Sequence, residues 1–332
     1  MNEKIAVIGS NSFSGASFIR HCLAQGLSVL GASRSDELAG CFLPYKWLSG
    51  AQQRSFRFVQ ADLNHDLDRL MSALDLFQPD YVVNFAAQGM VAQSWQTPEH
   101  WYQTNVVANV CFHNRLRESS WLKKYVHVST PEVYGSTSGL IDETASFNPS
   151  TPYAASRAAC DLHLRTFLNE HNFPVAWTRA ANVYGPGQQL YRIIPRTILS
   201  IKLGQKLSLH GGGHSVRSFI HIDDVADATL RIARSAPAGE TYHLSTPRNI
   251  SIRELVEIIC RTMDANFDTV VQVTEDRPGK DAAYLLDSAK ARSGLGWKDA
   301  ISLEQGIADT MRWVDDHITE LTQQPLDYIH KP

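Results

Sequence analysis

The chain has 332 residues, of which 43% are hydrophobic and 20% are charged, and its formal net charge is −3. This is ordinary globular composition, long enough for one large domain or two closely joined ones. The charge provides no basic field for a nucleic acid, and no apolar run approaches the length of a membrane span. Five scattered cysteines without a C-x-x-C pair favour free core thiols over disulfides or metal ligands. Because no signal peptide precedes the first strand, we expect a cytoplasmic protein. We also expect no metal, nucleic-acid or membrane partner.

The first predicted elements are a strand, a glycine turn and a helix. A short apolar run ends in Gly9, and an amphipathic pattern then extends to about Gln25. This order is the context that a dinucleotide-binding loop requires, because a helix N-terminus offers free N–H groups and a positive dipole end to a pyrophosphate. The loop spacing is G-x-x-S-x-x-G. We predict that it binds a cofactor through Gly9, Ser12, Phe13, Ser14 and Gly15.

The end of the second predicted strand, 27–32, bears on the choice of cofactor. An acidic residue at this position would bind a ribose 2′-hydroxyl, whereas an arginine accommodates a 2′-phosphate. The strand runs into Ser33 and Arg34, and no acid occurs before Asp36. These residues predict NADP as the cofactor, with NAD as the alternative.

Strand and helix patterns alternate from residue 4 to residue 129, and 37–54 are predicted to be irregular. The further strands are predicted over 56–60, 81–85 and 125–129, and the helices over 66–77 and 98–119. Continuous apolar strands indicate a parallel sheet that is buried on both faces. We therefore predict an α/β fold with a doubly wound parallel sheet, that is, a Rossmann fold. At the end of the fourth strand a cofactor would approach Phe85, Ala86, Ala87 and Gln88.

The fifth strand leads into a cluster of reactive side chains. It ends in Ser129-Thr130-Pro131-Glu132, and a carboxylate at the carboxyl end of a central strand lies at the ligand crevice. Tyr153 and Arg157 lie four apart on the next predicted helix, 153–169, and so project from one face. A carboxylate, a hydroxyl, a phenol and a fixed cation beside a nucleotide site can move a hydride and protons on a sugar.

The composition changes after about residue 180 to short helices and strands. We predict a dinucleotide-binding domain over 1–180, which also receives parts of 215–250, and an interleaved substrate-binding portion over 181–330. Ser150 or Thr151 is predicted to cap the helix at 153, and Asp223 or Asp224 the helix over 223–233. Further helices are predicted over 193–203, 251–263, which opens with a capping box, and 303–317. The tail after Leu321 is expected to be loosely held.

Several motifs in order carry a resemblance to a known family. They are the Gly9–Gly15 loop, Asn84-Phe-Ala-Ala, Ser129-Thr-Pro-Glu-Val-Tyr-Gly135, Tyr153-x-x-x-Arg157, Asn182-Val-Tyr-Gly-Pro186, Arg217-Ser-Phe-Ile-His-Ile-Asp-Asp224 and Asp276-Arg-Pro-Gly. Together they cover nearly the whole chain. It resembles the extended short-chain dehydrogenases/reductases that act on nucleotide sugars, especially the 4,6-dehydratases of dTDP-glucose and GDP-mannose.

The resemblance implies roles for the matching residues. Tyr153 would take the C4 hydroxyl proton, Thr130 would hydrogen-bond that oxygen, and Glu132 would remove the C5 proton once C4 is a ketone. Loss of the 6-hydroxyl as water and return of the hydride to C6 would give a nucleotide-linked 4-keto-6-deoxyhexose. The cofactor would also contact Asp62, Leu63, Thr104, Ser129, Tyr153 and Arg157. The nucleotide-diphosphate hexose would contact Gln88, Met90, Thr130, Asn182, Arg192, Arg217 and Arg277, whose arginines suit phosphate oxygens.

The resemblance also implies a homodimer, in which the helices that start near residues 98 and 153 form a four-helix interface. Four departures accompany it: Pro131 replaces a general acid of dTDP-glucose dehydratases, Arg157 replaces a lysine, Gly89 and Met90 replace serine and histidine, and Ser12 replaces a glycine. GDP-mannose dehydratases also lack the acid at 131. Two alternatives therefore stay open: an NDP-sugar 4-epimerase or uronate decarboxylase that uses the same tyrosine, and a cofactor-bound scaffold or sensor without catalysis.

Overall fold

The computed structural model describes residues 3–137, 139–275 and 285–331. The strands in this part of the chain are β1 (Lys4–Ile8), β2 (Ser28–Ser33), β3 (Phe56–Gln60), β4 (Tyr81–Asn84), β5 (Lys124–Val128), β6 (Leu140–Ile141), β7 (Val175–Ala180), β8 (Asn182–Tyr184), β9 (Leu207–His210), β10 (Val216–His221), β11 (Thr241–Leu244), β12 (Asn249–Ser251), β13 (Val271–Thr274) and β14 (Leu285–Leu286). All five strands predicted before residue 130 are present, within a residue or two of their expected ends.

The main sheet has seven strands in the order β11-β7-β5-β4-β1-β2-β3, and every neighbouring pair is parallel. The chain first proceeds from β1 towards β3 and then crosses to β4 on the other side of β1. The strand order therefore reverses between β1 and β4, where α/β sheets open a ligand crevice beyond the carboxyl ends of their strands. The predicted doubly wound parallel sheet is confirmed.

Helices cover the main sheet on both faces and build the remaining part of the chain. They are α1 (Phe13–Ala24), α2 (Gly50–Gln53), α3 (Leu67–Phe77), α4 (Pro98–Tyr102), α5 (Asn109–Leu116), α6 (Pro152–His171), α7 (Ile193–Lys202), α8 (Ile222–Ser235), α9 (Ile252–Thr262), α10 (Phe267–Val270), α11 (Ala289–Leu295), α12 (Leu303–Asp316) and α13 (Ile318–Leu321). No helix in the described ranges is both long and apolar enough to cross a membrane.

Side-chain caps fix several of these helix starts. The hydroxyl of Thr151 accepts from the backbone N–H of Ala154 at α6, and Ser251 forms the predicted capping box at α9. The predicted cap at α8 is wrong. His221 precedes the helix, and its Nδ1 accepts from the backbone N–H of Asp223, because the helix begins one residue earlier than the pattern suggested.

Two segments differ from their predicted form. Residues 37–54 are not irregular throughout, since they contain 3₁₀ turns at Gly40–Phe42 and Pro44–Trp47 as well as α2. The predicted helix over 98–119 is α4 and α5 joined by a π-helical segment, Gln103–Ala108. A π-helical segment changes which side chains share a face, and such segments are frequent at functional sites.

Residues beyond β7 form two smaller sheets, β12-β10-β8 and β13-β9, and β14 pairs with the earlier strand β6, while β11 returns to the edge of the main sheet. One apolar core lies on each face of the main sheet, and a third lies between β10, α7, α9 and α12. Four of the five free cysteines are buried as predicted, but Cys111 is exposed because it lies on the outer face of α5.

The expectation of a loosely held tail is wrong. The ring of His330 stacks on Trp101 with centroids 5.0 Å apart, and His330 Nε2 lies 2.9 Å from Nδ1 of His100. The carbonyl of Lys331 accepts hydrogen bonds from Gln88 and Arg34. The segment 323–331 thus crosses from the end of α13 to the carboxyl edge of the main sheet.

Candidate active site at the carboxyl edge of the sheet

The loop after β1 has the backbone that a dinucleotide pyrophosphate needs. Gly9 has φ +83°, and a Cβ on it would lie 2.7 Å from the backbone nitrogen of Ala86. A Cβ on Gly15 would lie 2.3 Å from the carbonyl oxygen of Gly9. Only glycine fits either position. Phe13 and Ser14 then begin α1, so the free N–H groups of the helix open onto the crevice.

Ser12 fills the position where the resembled loop has a glycine. Its hydroxyl donates to the carbonyl of Gly9 at 2.7 Å and accepts from the N–H of Gly15 at 3.0 Å. The side chain thereby caps α1 and closes the loop on itself. The serine is therefore compatible with the loop conformation and contributes to its rigidity.

The residues predicted to contact the adenosine half lie along the ends of β2 and β3. Ser33 Oγ accepts from the backbone N–H of Asn11, and Arg34 Nη2 donates to the carbonyl of Lys331 at 3.1 Å. Asp62 Oδ1 accepts from Asn64, whose amide also donates to Thr104 Oγ1 at 3.2 Å. Leu63 is buried beside them. The structure brings these predicted residues to one wall of the crevice.

The opposite wall is the turn Phe85–Gln88 after β4. The backbone of Gln88 is fixed by Asn105, whose Oδ1 accepts from the Gln88 N–H and whose Nδ2 donates to the Gln88 carbonyl. The same Nδ2 donates to Ser156 Oγ at 3.0 Å. Asn105 therefore ties the predicted cofactor turn to the helix that carries Tyr153. Sequence reasoning did not assign this residue, although its place one residue after Thr104 was visible.

The predicted catalytic side chains converge at the end of β5. Thr130 caps the 3₁₀ turn Pro131–Tyr134, which contains Glu132, and both residues lie near the phenol of Tyr153. The backbone N–H of Tyr153 donates to Ser94 Oγ at 3.2 Å. Burial raises the pKa of Tyr153; the nearby charge of Glu132 raises it further, whereas Arg157 and the hydroxyl of Thr130 lower it. Burial therefore outweighs the stabilisation of the phenolate by the cation.

Arg157 lies beneath Tyr153 and is 2% exposed. Its Nη2 donates to the carbonyl of Val128, and the same nitrogen lies 3.2 Å from Nε2 of His127. Its Nε and Nη1 are buried without a hydrogen-bond partner among the described residues. Buried donors of this kind are costly unless something accepts from them.

A polar network that the sequence did not predict lies under this site. Asp161, buried on α6, accepts from Ser129 Oγ and from Arg179, each at 2.7 Å. Arg179 also donates to the hydroxyl of Tyr134, which lies 2.8 Å from Nε2 of His243. The network joins β5, α6, β7 and β11. No local motif predicts this network, because its residues are far apart in the sequence and come into contact only when the sheet forms.

The structure brings only some of the predicted substrate-binding residues close to Tyr153. Asn182 and Arg217 lie on the paired strands β8 and β10, and Arg217 is largely buried. Arg192 is exposed at the start of α7, near enough to lower the pKa of Tyr153. Met90 is half-buried beyond Gln88. Arg277 lies outside the described residues.

One cluster has the composition of a metal site. Atoms of His113, His127 and Cys160 lie within 4.8 Å of one another, and all three side chains are buried. The guanidinium of Arg157 contacts His127 directly, and burial raises the pKa of the Cys160 thiol to about 12. A fixed cation and a protonated thiol both oppose the binding of a metal ion. The cluster is better described as part of the buried network.

The residues present fit a nicotinamide dinucleotide. The glycine loop leaves room for a pyrophosphate against the backbone, and the N-terminus of α1 faces it. A doubly wound sheet with this loop and a Tyr-x-x-x-Arg pair defines the class of extended short-chain dehydrogenases/reductases.

Comparison with known proteins agrees with this class. The family described as GDP-mannose 4,6 dehydratase matches residues 7–310, and the chain belongs to this family. The chain is 31% identical over 326 residues to a probable dTDP-glucose 4,6-dehydratase of Sinorhizobium fredii, covering 93% of this chain and 92% of that one. It is also 31% identical over 271 residues to the human dTDP-D-glucose 4,6-dehydratase, covering 79% and 76% of the two chains.

Solved structures give the same result. A dTDP-glucose 4,6-dehydratase from Streptomyces venezuelae, solved with NAD bound, superposes with a TM-score of 0.88 at 30% identity, over 96% of this chain and 98% of that one. A UDP-glucose 4-epimerase from Thermotoga maritima superposes with a TM-score of 0.85 at 24% identity, over 95% and 99%, which shows the shared fold alone.

Proposed function

We propose that this protein is a nucleotide-sugar 4,6-dehydratase, which converts an NDP-hexose into an NDP-4-keto-6-deoxyhexose with loss of water. One observation carries the proposal: Thr130 and Glu132 follow β5 at the crevice of the sheet, and Arg157, one turn along α6 from Tyr153, donates to the Val128 carbonyl of the same strand. Oxidation at C4 needs a base for the hydroxyl proton, and elimination needs a second base for C5. The site contains both.

Each residue has a distinct task in this proposal. A bound nicotinamide would supply the acceptor for the C4 hydride and the donor that returns it to C6. Tyr153 takes the C4 hydroxyl proton, and Thr130 orients that oxygen. Glu132 takes the C5 proton, which the C4 ketone has acidified. Because position 131 is a buried proline, Glu132 also delivers a proton to the departing 6-hydroxyl. When the hydride is returned to C6, C5 regains a proton that comes from solvent.

The carboxylate favours dehydration over the alternatives. A 4-epimerase uses the oxidation at C4 but needs no base at C5, so Glu132 would have no task. The test is incubation with UDP-, dTDP-, GDP- and CDP-hexoses and either dinucleotide, followed by mass spectrometry. Loss of one water supports the proposal. An isomer of unchanged mass supports an epimerase, loss of carbon dioxide from a uronate supports a decarboxylase, and bound cofactor without turnover supports a scaffold.

We further propose that Asn182, Arg192 and Arg217 hold the nucleotide diphosphate of the substrate, together with Arg277. The paired strands β8 and β10 place Asn182 and Arg217 on one small sheet, and Arg192 lies near Tyr153. Guanidinium groups pair with phosphate oxygens through two hydrogen bonds. The base and the sugar configuration follow from the substrate panel.

We propose NADP as the preferred cofactor, with NAD as the alternative. Arg34 at the end of β2, with no acid before Asp36, supports the 2′-phosphate, whereas the solved relative from Streptomyces venezuelae holds NAD. Replacing Arg34 with alanine should weaken NADP binding about tenfold or more and leave NAD binding unchanged. Titration of both dinucleotides by calorimetry measures this. Equal weakening of both, or a wild-type preference for NAD, would contradict the assignment.

We also propose a homodimer through α6 and the continuous α4–α5 segment of each protomer. Apolar side chains are exposed on both elements. They are Tyr102 and Val107 on the α4–α5 segment, and Leu162, which is 57% exposed, on α6. Such a patch marks an interaction surface. Leu162→Arg should therefore give a monomer in sedimentation velocity, while Leu76→Arg on α3, where Leu76 is also exposed, should leave the assembly unchanged. A wild-type monomer would refute the interface.

A further inference from the structure

The guanidinium of Arg157 is held from below by two acceptors on β5. Its Nη2 donates to the carbonyl of Val128 and lies 3.2 Å from Nε2 of His127. A guanidinium has no acceptor atom, so Nε2 of His127 must carry the lone pair that faces it. The proton of the imidazole is then on Nδ1, which donates to the hydroxyl of Tyr125 at 3.3 Å.

The surroundings keep His127 in this neutral form. The side chain is fully buried, and burial together with the charges of Arg157 and Arg179 lowers its pKa well below the ordinary value. The other groups that face it are Tyr125 on its own strand and His113 on α5, which itself contacts the Tyr125 hydroxyl. From α6 it is faced by Asp161, 3.6 Å from Nε2, and by Cys160 and His163. A protonated imidazole could not accept from Arg157.

We propose that His127 is a positioning residue, which orients the guanidinium of Arg157 beneath Tyr153 so that an arginine can replace the lysine of the resembled motif. Both hydrogens of Nη2 are directed to acceptors, and this fixes the plane of the group. Nε–H and Nη1–H have no protein partner among the described residues, so the contacts of Nη2 alone hold the group. A lysine ammonium is a rotatable point charge and needs no such planar support.

The inference rests on the proposed role of Tyr153, so its test includes a readout that needs no sugar. The titration of Tyr153 is followed by NMR with ¹³Cζ-labelled tyrosine, and the Tyr153→Phe variant identifies the signal. Thr130, Glu132, Arg157 and Arg192 are the groups that act on this phenol. His127→Leu should raise its pKa by about one unit, because the cation is no longer held in place. His127→Gln retains an acceptor and should raise the pKa of Tyr153 by less.

Two comparisons separate positioning from a general loss of structure. His113→Leu removes another buried histidine of the same network that does not hydrogen-bond Arg157, and it should leave the Tyr153 titration unchanged. The double variant His127→Leu/Arg157→Lys should have the same Tyr153 pKa as the single variant Arg157→Lys. Additive shifts, or an unchanged titration in His127→Leu, would overturn the proposal, whether or not a sugar is turned over.

A second, independent observation concerns the tail segment 323–331. The carbonyl of Lys331 accepts from Gln88 Nε2 at 2.7 Å and from Arg34 Nη2 at 3.1 Å, and these residues belong to opposite walls of the cofactor crevice. The anchor is His330, which stacks on Trp101 and hydrogen-bonds His100. Arg196 also donates to the carbonyl of Leu326 at 2.6 Å.

We infer that this segment is a strap that closes over the bound dinucleotide and slows its exchange. A reaction that returns the hydride to the sugar regenerates the dinucleotide in each turnover, so the dinucleotide does not have to leave the protein. The segment contacts both walls of the crevice and so crosses it. It must therefore move away before a dinucleotide enters or leaves. The inference depends on dinucleotide binding and not on the identity of the sugar.

The test is stopped-flow fluorescence with NADPH and NADH on the full chain and on a variant that ends at Gln324. Removal of the strap should accelerate both association and dissociation, each about tenfold. His330→Ala should reproduce part of the effect, and Lys331→Ala, which keeps the backbone carbonyl, should not. An unchanged dissociation rate, or faster association alone, would overturn the strap, since the latter indicates a segment that merely blocks the empty crevice.

Discussion

Replacing Tyr153 with phenylalanine should abolish oxidation of the sugar, with a fall in turnover of about 10³-fold or more. In the proposed mechanism the phenol is the base, Thr130 orients the sugar oxygen, and the charge of Arg157 lowers the pKa of the phenol. Phenylalanine keeps the ring and the packing of α6 but cannot accept the C4 hydroxyl proton. Turnover is measured as loss of water from the nucleotide hexose, and oxidation as reduction of the bound dinucleotide.

The variant should still bind the dinucleotide, because the glycine loop and the Gln88 turn do not depend on the phenol. This binding is the control for folding. Reduction of the dinucleotide at the wild-type rate in Tyr153→Phe would remove Tyr153 from the mechanism. Loss of dinucleotide binding together with turnover would give the residue a structural role instead.

Replacing Glu132 with glutamine should separate the two halves of the reaction. Glutamine has the same shape but is not a base, so oxidation at C4 proceeds while removal of the C5 proton is lost. We expect overall turnover to fall by about 10²–10⁴-fold. The reduced dinucleotide and the 4-keto hexose should accumulate on the protein at the level of one site per chain.

Rapid quenching followed by mass spectrometry detects this accumulation, and solvent deuterium provides a second readout. The wild type should incorporate deuterium at C5 and the variant should not. Normal turnover by Glu132→Gln, or failure to oxidise C4 at all, would contradict the assigned role. The matched Tyr153→Phe variant should show neither oxidation nor exchange, so the two substitutions identify successive steps.

The fold could be predicted because its signals are local. Apolar runs that end in glycine or polar residues mark buried parallel strands, and the alternation of strands and helices determines a doubly wound sheet. The positions of Tyr153 and Arg157 follow from helical spacing alone. Thr151 and Ser251 were predicted as caps because their hydroxyls lie immediately before amphipathic patterns.

The parts that were not predicted depend on contacts between distant segments. His127 reads as one residue of an apolar strand, and its importance arises only when α6 places Arg157 against it. The docking of His330 against Trp101 joins residues from distant parts of the sequence. The π-helical segment after α4 and the cap by His221 shift boundaries by a turn or less, which patterns of hydrophobicity do not resolve.

The most direct test of the central claim is the fate of the hydrogen at C4. A nucleotide hexose labelled with deuterium at C4 is incubated with the protein, and the product is analysed by mass spectrometry and NMR. The account predicts a product that has lost one water and carries the deuterium at C6, without dilution by solvent hydrogen. Deuterium that remains at C4 of an isomerised sugar, or that is lost to solvent, would contradict it.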